Sequence, residues 1–158
     1  MIKLEELSTP TRRDFCACCC KTAGLVALGA VAGCGGGPTG PSSNAESLTS
    51  VTATVSGRTV SVSLGASSPL ASTGGMAVTQ TSVGTFLLTR TGATSMTVLT
   101  ATCTHEGCTI TGFSGSQFVC PCHGSTFSTS GSVIKGPANR PLQQFAATVS
   151  ADVATFTA

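Results

Sequence analysis

Two short boxes concentrate the metal-binding side chains of this chain: Cys103-Thr104-His105-Glu106-Gly107-Cys108 and Cys120-Pro121-Cys122-His123. Together they hold four of the nine cysteines and both histidines of the 158 residues. Thiolate sulfur and imidazole nitrogen are ligands for soft and borderline transition metals. Each box offers one Cys and one His at ligand spacing, and one further Cys. Two thiolates and two imidazoles also suit zinc, so a zinc-binding structural module stands as an alternative of another class. Zinc motifs usually set Cys beside Cys and His beside His, whereas each box here mixes the two. A binuclear cluster is the other reading of two such mixed boxes. No base, nucleophile or substrate pocket is identifiable in the chain, so no catalytic residue is assigned.

The paired boxes resemble those of the Rieske [2Fe–2S] family, and the resemblance covers residues 80–150. It implies one [2Fe–2S] cluster per chain, with Cys103 and Cys120 as thiolates on the buried iron. His105 and His123 would bind the outer iron through Nδ1. Neutral imidazoles in place of thiolates lower the negative charge on such a cluster and raise its potential. The resemblance further implies a disulfide between Cys108 and Cys122, tying the two loops together in an oxidising compartment. That pair marks the high-potential electron-transfer class, which resembles the Rieske subunit of cytochrome bc-type complexes. Ser125 would donate its hydroxyl to a bridging sulfide. High-potential members carry Tyr two residues later, where this chain has Phe127, so one hydrogen bond to a ligand sulfur is lost. The expected midpoint lies in the positive half of the family's range of about −150 to +300 mV. Residues 136–142, Gly-Pro-Ala-Asn-Arg-Pro-Leu, resemble the family's proline-rich third loop over the cluster. Partners implied are cytochrome b and a c-type cytochrome, with electrons taken from quinol. The runner-up is an electron-transfer subunit of a periplasmic oxidoreductase, such as a molybdenum enzyme of the arsenite-oxidase kind.

The elements that hold these boxes read as all-β, in stacked antiparallel sheets with a small cluster-binding subdomain over about residues 103–142. Val51, Ala53 and Val55 share one parity, as do Val60, Val62 and Leu64 after Ser56-Gly57-Arg58, a period-2 pattern with a turn between. Strands follow over 76–81, 83–90 and 96–102, the last running into Cys103. The 14 residues between His105 and Cys120 read as a hairpin turning at Ser114-Gly115-Ser116. Leu142, Phe145, Val149, Val153 and Phe156 suit two closing strands around Ala151-Asp152. No clear 3.6-residue apolar period appears, so little or no helix is expected after the leader.

The leader is a separate matter. Arg12-Arg13-Asp14-Phe15 resembles a Tat export signal. The apolar run from Ala23 to Gly33 is shorter than the ~20 residues a membrane-spanning helix takes and fits a signal-peptide core, the chain's one expected short helix. Val31-Ala32-Gly33-Cys34 resembles a lipobox, with Cys34 as the lipidated residue. Ala30-Val31-Ala32 offers a competing cleavage site after Ala32, and retention of the leader as an anchor is a third course. The domain boundaries follow: signal peptide 1–33, flexible Gly/Pro/Ser tether 34–47, and the β domain 48–158. Cys16, Cys18, Cys19 and Cys20 receive no function. Beyond Cys34 the charges are Arg58, Arg90, Lys135 and Arg140 against Glu46, Glu106 and Asp152. So near-neutral a segment gives no reason to expect a nucleic-acid partner. The expected location, reached by Tat export, is the periplasm or the outer face of the cell membrane, with a lipid anchor.

Overall fold

The computed structural model describes residues 45–158. The leader, Cys34 and the tether as far as residue 44 lie outside the described residues. Thirteen strands form: β1 (Glu46–Ser47), β2 (Ala53–Ser56), β3 (Thr59–Ser63), β4 (Met76–Thr81), β5 (Gly84–Arg90), β6 (Met96–Thr100), β7 (Gly112–Ser114), β8 (Gln117–Val119), β9 (Thr126–Ser128), β10 (Val133–Lys135), β11 (Gln144–Phe145), β12 (Ala147–Ser150) and β13 (Val153–Thr157). No helix forms among the described residues. The strands assemble into three antiparallel sheets, ordered β1-β7-β8-β9-β10, β11-β6-β5-β4 and β12-β13-β3-β2.

The middle sheet explains the stacking. Phe86, Leu87 and Leu88 on β5 are all buried, at 3%, 0% and 0% exposure. Successive strand residues point to opposite faces, so an unbroken apolar run must be covered on both sides. Leu87, with its cross-strand partner Leu99 on β6, packs against Ile110, Phe118, Phe127 and Leu142. Phe86, Leu88 and Val98 face the other way, against Val60, Val62, Ala154 and Phe156. Two hydrophobic cores therefore share one sheet. Full burial of each such side chain is worth ~1.5–3 kcal/mol. In the second core the ring of Phe86 meets Phe145 and Phe156 edge-on, with centroids 5.2 and 4.9 Å apart.

Hairpin registers follow the turn residues. β2 and β3 close at Ser56↔Thr59 around Gly57-Arg58, and β7 and β8 close at Ser114↔Gln117 around Gly115-Ser116. Both are two-residue loops, the length that best matches strand twist. β12 and β13 close around Ala151-Asp152. On β13 the buried residues are Ala154 and Phe156, while Val153 is 42% exposed. The apolar parity there starts one residue later than Val153 suggests, because Val153 pairs with Ser150 at the turn. β1 pairs with β7, and Leu48 just after it is buried in the first core. β11, unanticipated as a separate strand, adds Gln144 and Phe145 to the edge of β6.

Candidate metal centre

The two boxes occupy loops with one backbone plan. The first follows β6, after a bridge pairing Thr102 with Thr109; the second follows β8 and leads into β9. In the first, the Cys103 N–H donates to the Cys108 carbonyl at 2.8 Å and the Cys103 carbonyl accepts from the Gly107 N–H at 2.9 Å. In the second, the Cys120 N–H donates to the Ser125 carbonyl at 2.9 Å and the Cys120 carbonyl accepts from the Gly124 N–H at 3.1 Å. The two glycines sit at φ 75° and 70°, where an L side chain costs ~1–2 kcal/mol. The side-chain pattern makes the boxes look like matching donor sets. The backbone match is a different one, Cys103-x-x-x-Gly107 with Cys120-x-x-x-Gly124, and its signal is the repeated glycine at the same offset.

Around this frame the sulfur and nitrogen donors separate. Cys103 and Cys120 carry free thiols and are buried, at 3% and 1% exposure. The His105 and His123 side chains are 28% and 45% exposed. Their Nδ1 atoms lie 3.2 Å apart, with the rings at 89° to each other. Two nitrogens on one tetrahedral metal at about 2.0–2.1 Å would be about 3.3–3.4 Å apart, so both rings converge on one point. Burial pushes the Cys120 thiol above its ordinary pKa, and the nearby Cys103 thiol pushes the same way. Backbone N–H groups of Cys122 and His123 point at this sulfur and pull the other way, as donors to a thiolate would. The donor atoms of His105, Glu106 and His123 lie within 4.8 Å of one another, while on the other side Cys120 lies beside the sulfurs of Cys108 and Cys122, which are bonded to each other.

Cys108 and Cys122 are joined by a disulfide, which links the end of the first loop to the middle of the second. The third loop, residues 136–142, is tied to both. The Thr104 hydroxyl donates to the Arg140 carbonyl at 2.6 Å, and the Ala138 N–H donates to Ser125 Oγ at 3.0 Å. Ser125 is fully buried. With Oγ already accepting from Ala138, its own proton meets no acceptor among the described residues. A buried hydroxyl proton without a partner is costly, and a cluster sulfide would supply the acceptor. Phe127 is fully buried beside Phe118, so the sulfur side is dry. The residues present fit a [2Fe–2S] group.

Stacked antiparallel sheets carrying two linked Cys/His loops define the class as an all-β metalloprotein. A family model described as the Rieske [2Fe–2S] domain matches residues 60–146, more than half of the chain. The chain belongs to the Rieske [2Fe–2S] domain family, and a [2Fe–2S] cluster is its cofactor. Among curated relatives, the cytochrome b6-f complex iron–sulfur subunit of Synechococcus sp. (strain JA-3-3Ab) is 42% identical over 73 residues, covering 46% of this chain and 42% of the relative. The corresponding subunit of Cyanothece sp. (strain PCC 7425) is 47% identical over 60 residues, covering 37% of this chain and 34% of the relative. These matches therefore span less than half of either relative. Among solved structures, the plasma membrane Rieske protein PetC3 of Synechocystis PCC 6803 matches with a TM-score of 0.48 and 34% identity, over 53% of this chain and 87% of that one.

Proposed function

We propose that this chain carries single electrons through a cluster held by Cys103 and Cys120 on the inner iron and by His105 and His123 on the outer. The observation that carries the reading is the split site: buried thiols on one side, exposed imidazoles converging through Nδ1 on the other. When bound, such a cluster supplies one-electron redox chemistry. The chain's residues do the rest. Phe118, Phe127 and Leu142 keep water from the sulfur side. The third loop holds Ser125 through the Ala138 N–H, which orients its remaining proton. Both imidazole side chains are partly exposed, so electrons enter and leave on that side.

The partner read most directly from the relatives is a cytochrome complex, since the matched proteins are named as cytochrome b6-f subunits. In that reading a quinol donates at the His123 edge and a c-type cytochrome accepts. Export fits the same picture. Arg12-Arg13, the apolar run and Cys34 support a Tat signal with a lipid on Cys34, and the Cys108–Cys122 disulfide suits an oxidising compartment. Retention of the full-length chain in the cytoplasm of a Tat-competent cell would remove this part of the reading.

The test is chemical analysis with redox titration. Protein loaded under anaerobic reducing conditions should contain iron and acid-labile sulfide in equal amounts and titrate as a one-electron couple with a positive midpoint at neutral pH. Zinc in place of iron, or a negative midpoint, overturns the corresponding part. Ser125→Ala should lower the midpoint by ~60 mV, equivalent to ~1.4 kcal/mol for one electron and about one hydrogen bond to a charged group. An unchanged midpoint with the cluster intact would show that the Ser125 proton points elsewhere.

A further inference from the structure

Glu106 follows His105 in the first loop, and spacing alone gives it no task. In the folded chain its two carboxylate oxygens divide between the two histidines. Oε1 lies 3.9 Å from His105 Nε2, and Oε2 lies 3.8 Å from His123 Nε2. Because the Nδ1 atoms face each other, the Nε2 atoms are the outer edges of the rings, and one carboxylate spans both. Glu106 itself is 62% exposed. Among the described residues, no Lys or Arg nitrogen lies within ion-pair distance of it. Arg140 lines the same cleft, but no ion pair with Glu106 forms. The exposed tip therefore carries an uncompensated negative charge held against both outer imidazole edges.

We propose that Glu106 sets the redox poise of the histidine edge, its carboxylate favouring the oxidised over the reduced centre by acting on both imidazoles at once. At these separations the interaction is between charge and ring edge, or is relayed by water, rather than a direct hydrogen bond. Adding an electron brings negative charge toward a carboxylate that already faces the ligand rings, so reduction is disfavoured. Like charges at short range interact strongly where protein displaces water, and salt weakens them where solvent enters. Glu106 is thus a positioning residue that acts through His105 and His123.

The inference rests on the ligand reading above, and its test separates the two. Cluster-loaded wild-type protein is compared with Glu106→Gln and Glu106→Lys by redox titration at low and high salt, with Asp152→Asn as control. Asp152 lies in the β12–β13 turn, in a different sheet from the metal centre. Glu106→Gln should raise the reduced-to-oxidised ratio at fixed potential about tenfold, a midpoint shift of about +59 mV. Glu106→Lys should shift it further in the same direction, both shifts should shrink at high salt, and Asp152→Asn should leave the midpoint in place. A structural role would not produce a shift graded by charge. Unchanged or lowered midpoints in variants with intact clusters overturn the inference, as does loss of the cluster from Glu106→Gln. Absence of a cluster from the wild-type protein would instead overturn the ligand reading.

Discussion

Cys120→Ser is expected to give a chain that folds but carries no iron and no acid-labile sulfide. The serine hydroxyl replaces the thiol at nearly the same size, so packing at this 1%-exposed position changes little. Its chemistry changes completely, because the metal ligand is a thiolate and a serine hydroxyl does not ionise near neutral pH. The backbone N–H groups of Cys122 and His123 would then face a neutral oxygen instead of an anionic sulfur. The second core, built on Val60, Val62, Phe86, Leu88, Val98 and Phe156, contains none of the candidate ligands, so the scaffold should persist. Far-ultraviolet circular dichroism should match that of the parent, while the visible absorption and the EPR signal of the reduced cluster disappear. His123→Ala should do the same from the other side, since it removes one of the two nitrogens that converge at 3.2 Å. A full complement of iron and sulfide in Cys120→Ser would refute the ligand assignment.

Much of this site is legible in the sequence because its chemistry is local. Cys103 and His105 sit two residues apart, and Cys120 and His123 sit three apart, so ligand types and spacing survive without any knowledge of packing. Hairpins are legible for the same reason: Gly57 and Gly115 mark two-residue turns, the first between strands of alternating burial. Long-range relations are not. The Phe86-Leu87-Leu88 run shows a buried strand, but not that it divides two cores or which strands cover each face. β1 and β11 are two residues each, too short for any period to register. Val153 is apolar yet exposed, since its position beside a turn outweighs its residue type. Within the site, the Ala138–Ser125 hydrogen bond joins segments 13 residues apart, and a strand-and-turn reading has no means of pairing them. Glu106 is the instructive omission. An acid beside a candidate ligand histidine, in a stretch with few other carboxylates, is visible in the sequence, but its reach across both rings exists only after the loops are brought together.

Removing the Cys108–Cys122 disulfide should loosen the two metal-centre loops far more in the cluster-free protein than in the loaded one. The bond joins residues 14 apart in sequence. Opening a closed loop of about 15 residues returns entropy to the unfolded chain worth ~3 kcal/mol. Small domains are stable by only ~5–15 kcal/mol, so the cluster-free Cys108→Ser/Cys122→Ser protein should lose a large share of its stability in urea denaturation. Changing both cysteines avoids leaving a stray thiol beside Cys120. In the loaded protein the proposed ligands Cys103 and His105 stand on one loop and Cys120 and His123 on the other, so the cluster crosslinks the same two segments. While the cluster stays bound, that second tie limits the freedom the two loops gain on opening locally, so losing the disulfide loosens them little. Amide hydrogen exchange at Gly107 and Gly124, whose N–H groups close the two loops, reads this local stability without unfolding the rest. Protection at both glycines should collapse in the cluster-free double variant and largely survive in the loaded one. Equal loss of protection in both states would mean that the cluster does not bridge the loops, and the assignment of one Cys and one His from each loop would fail with it.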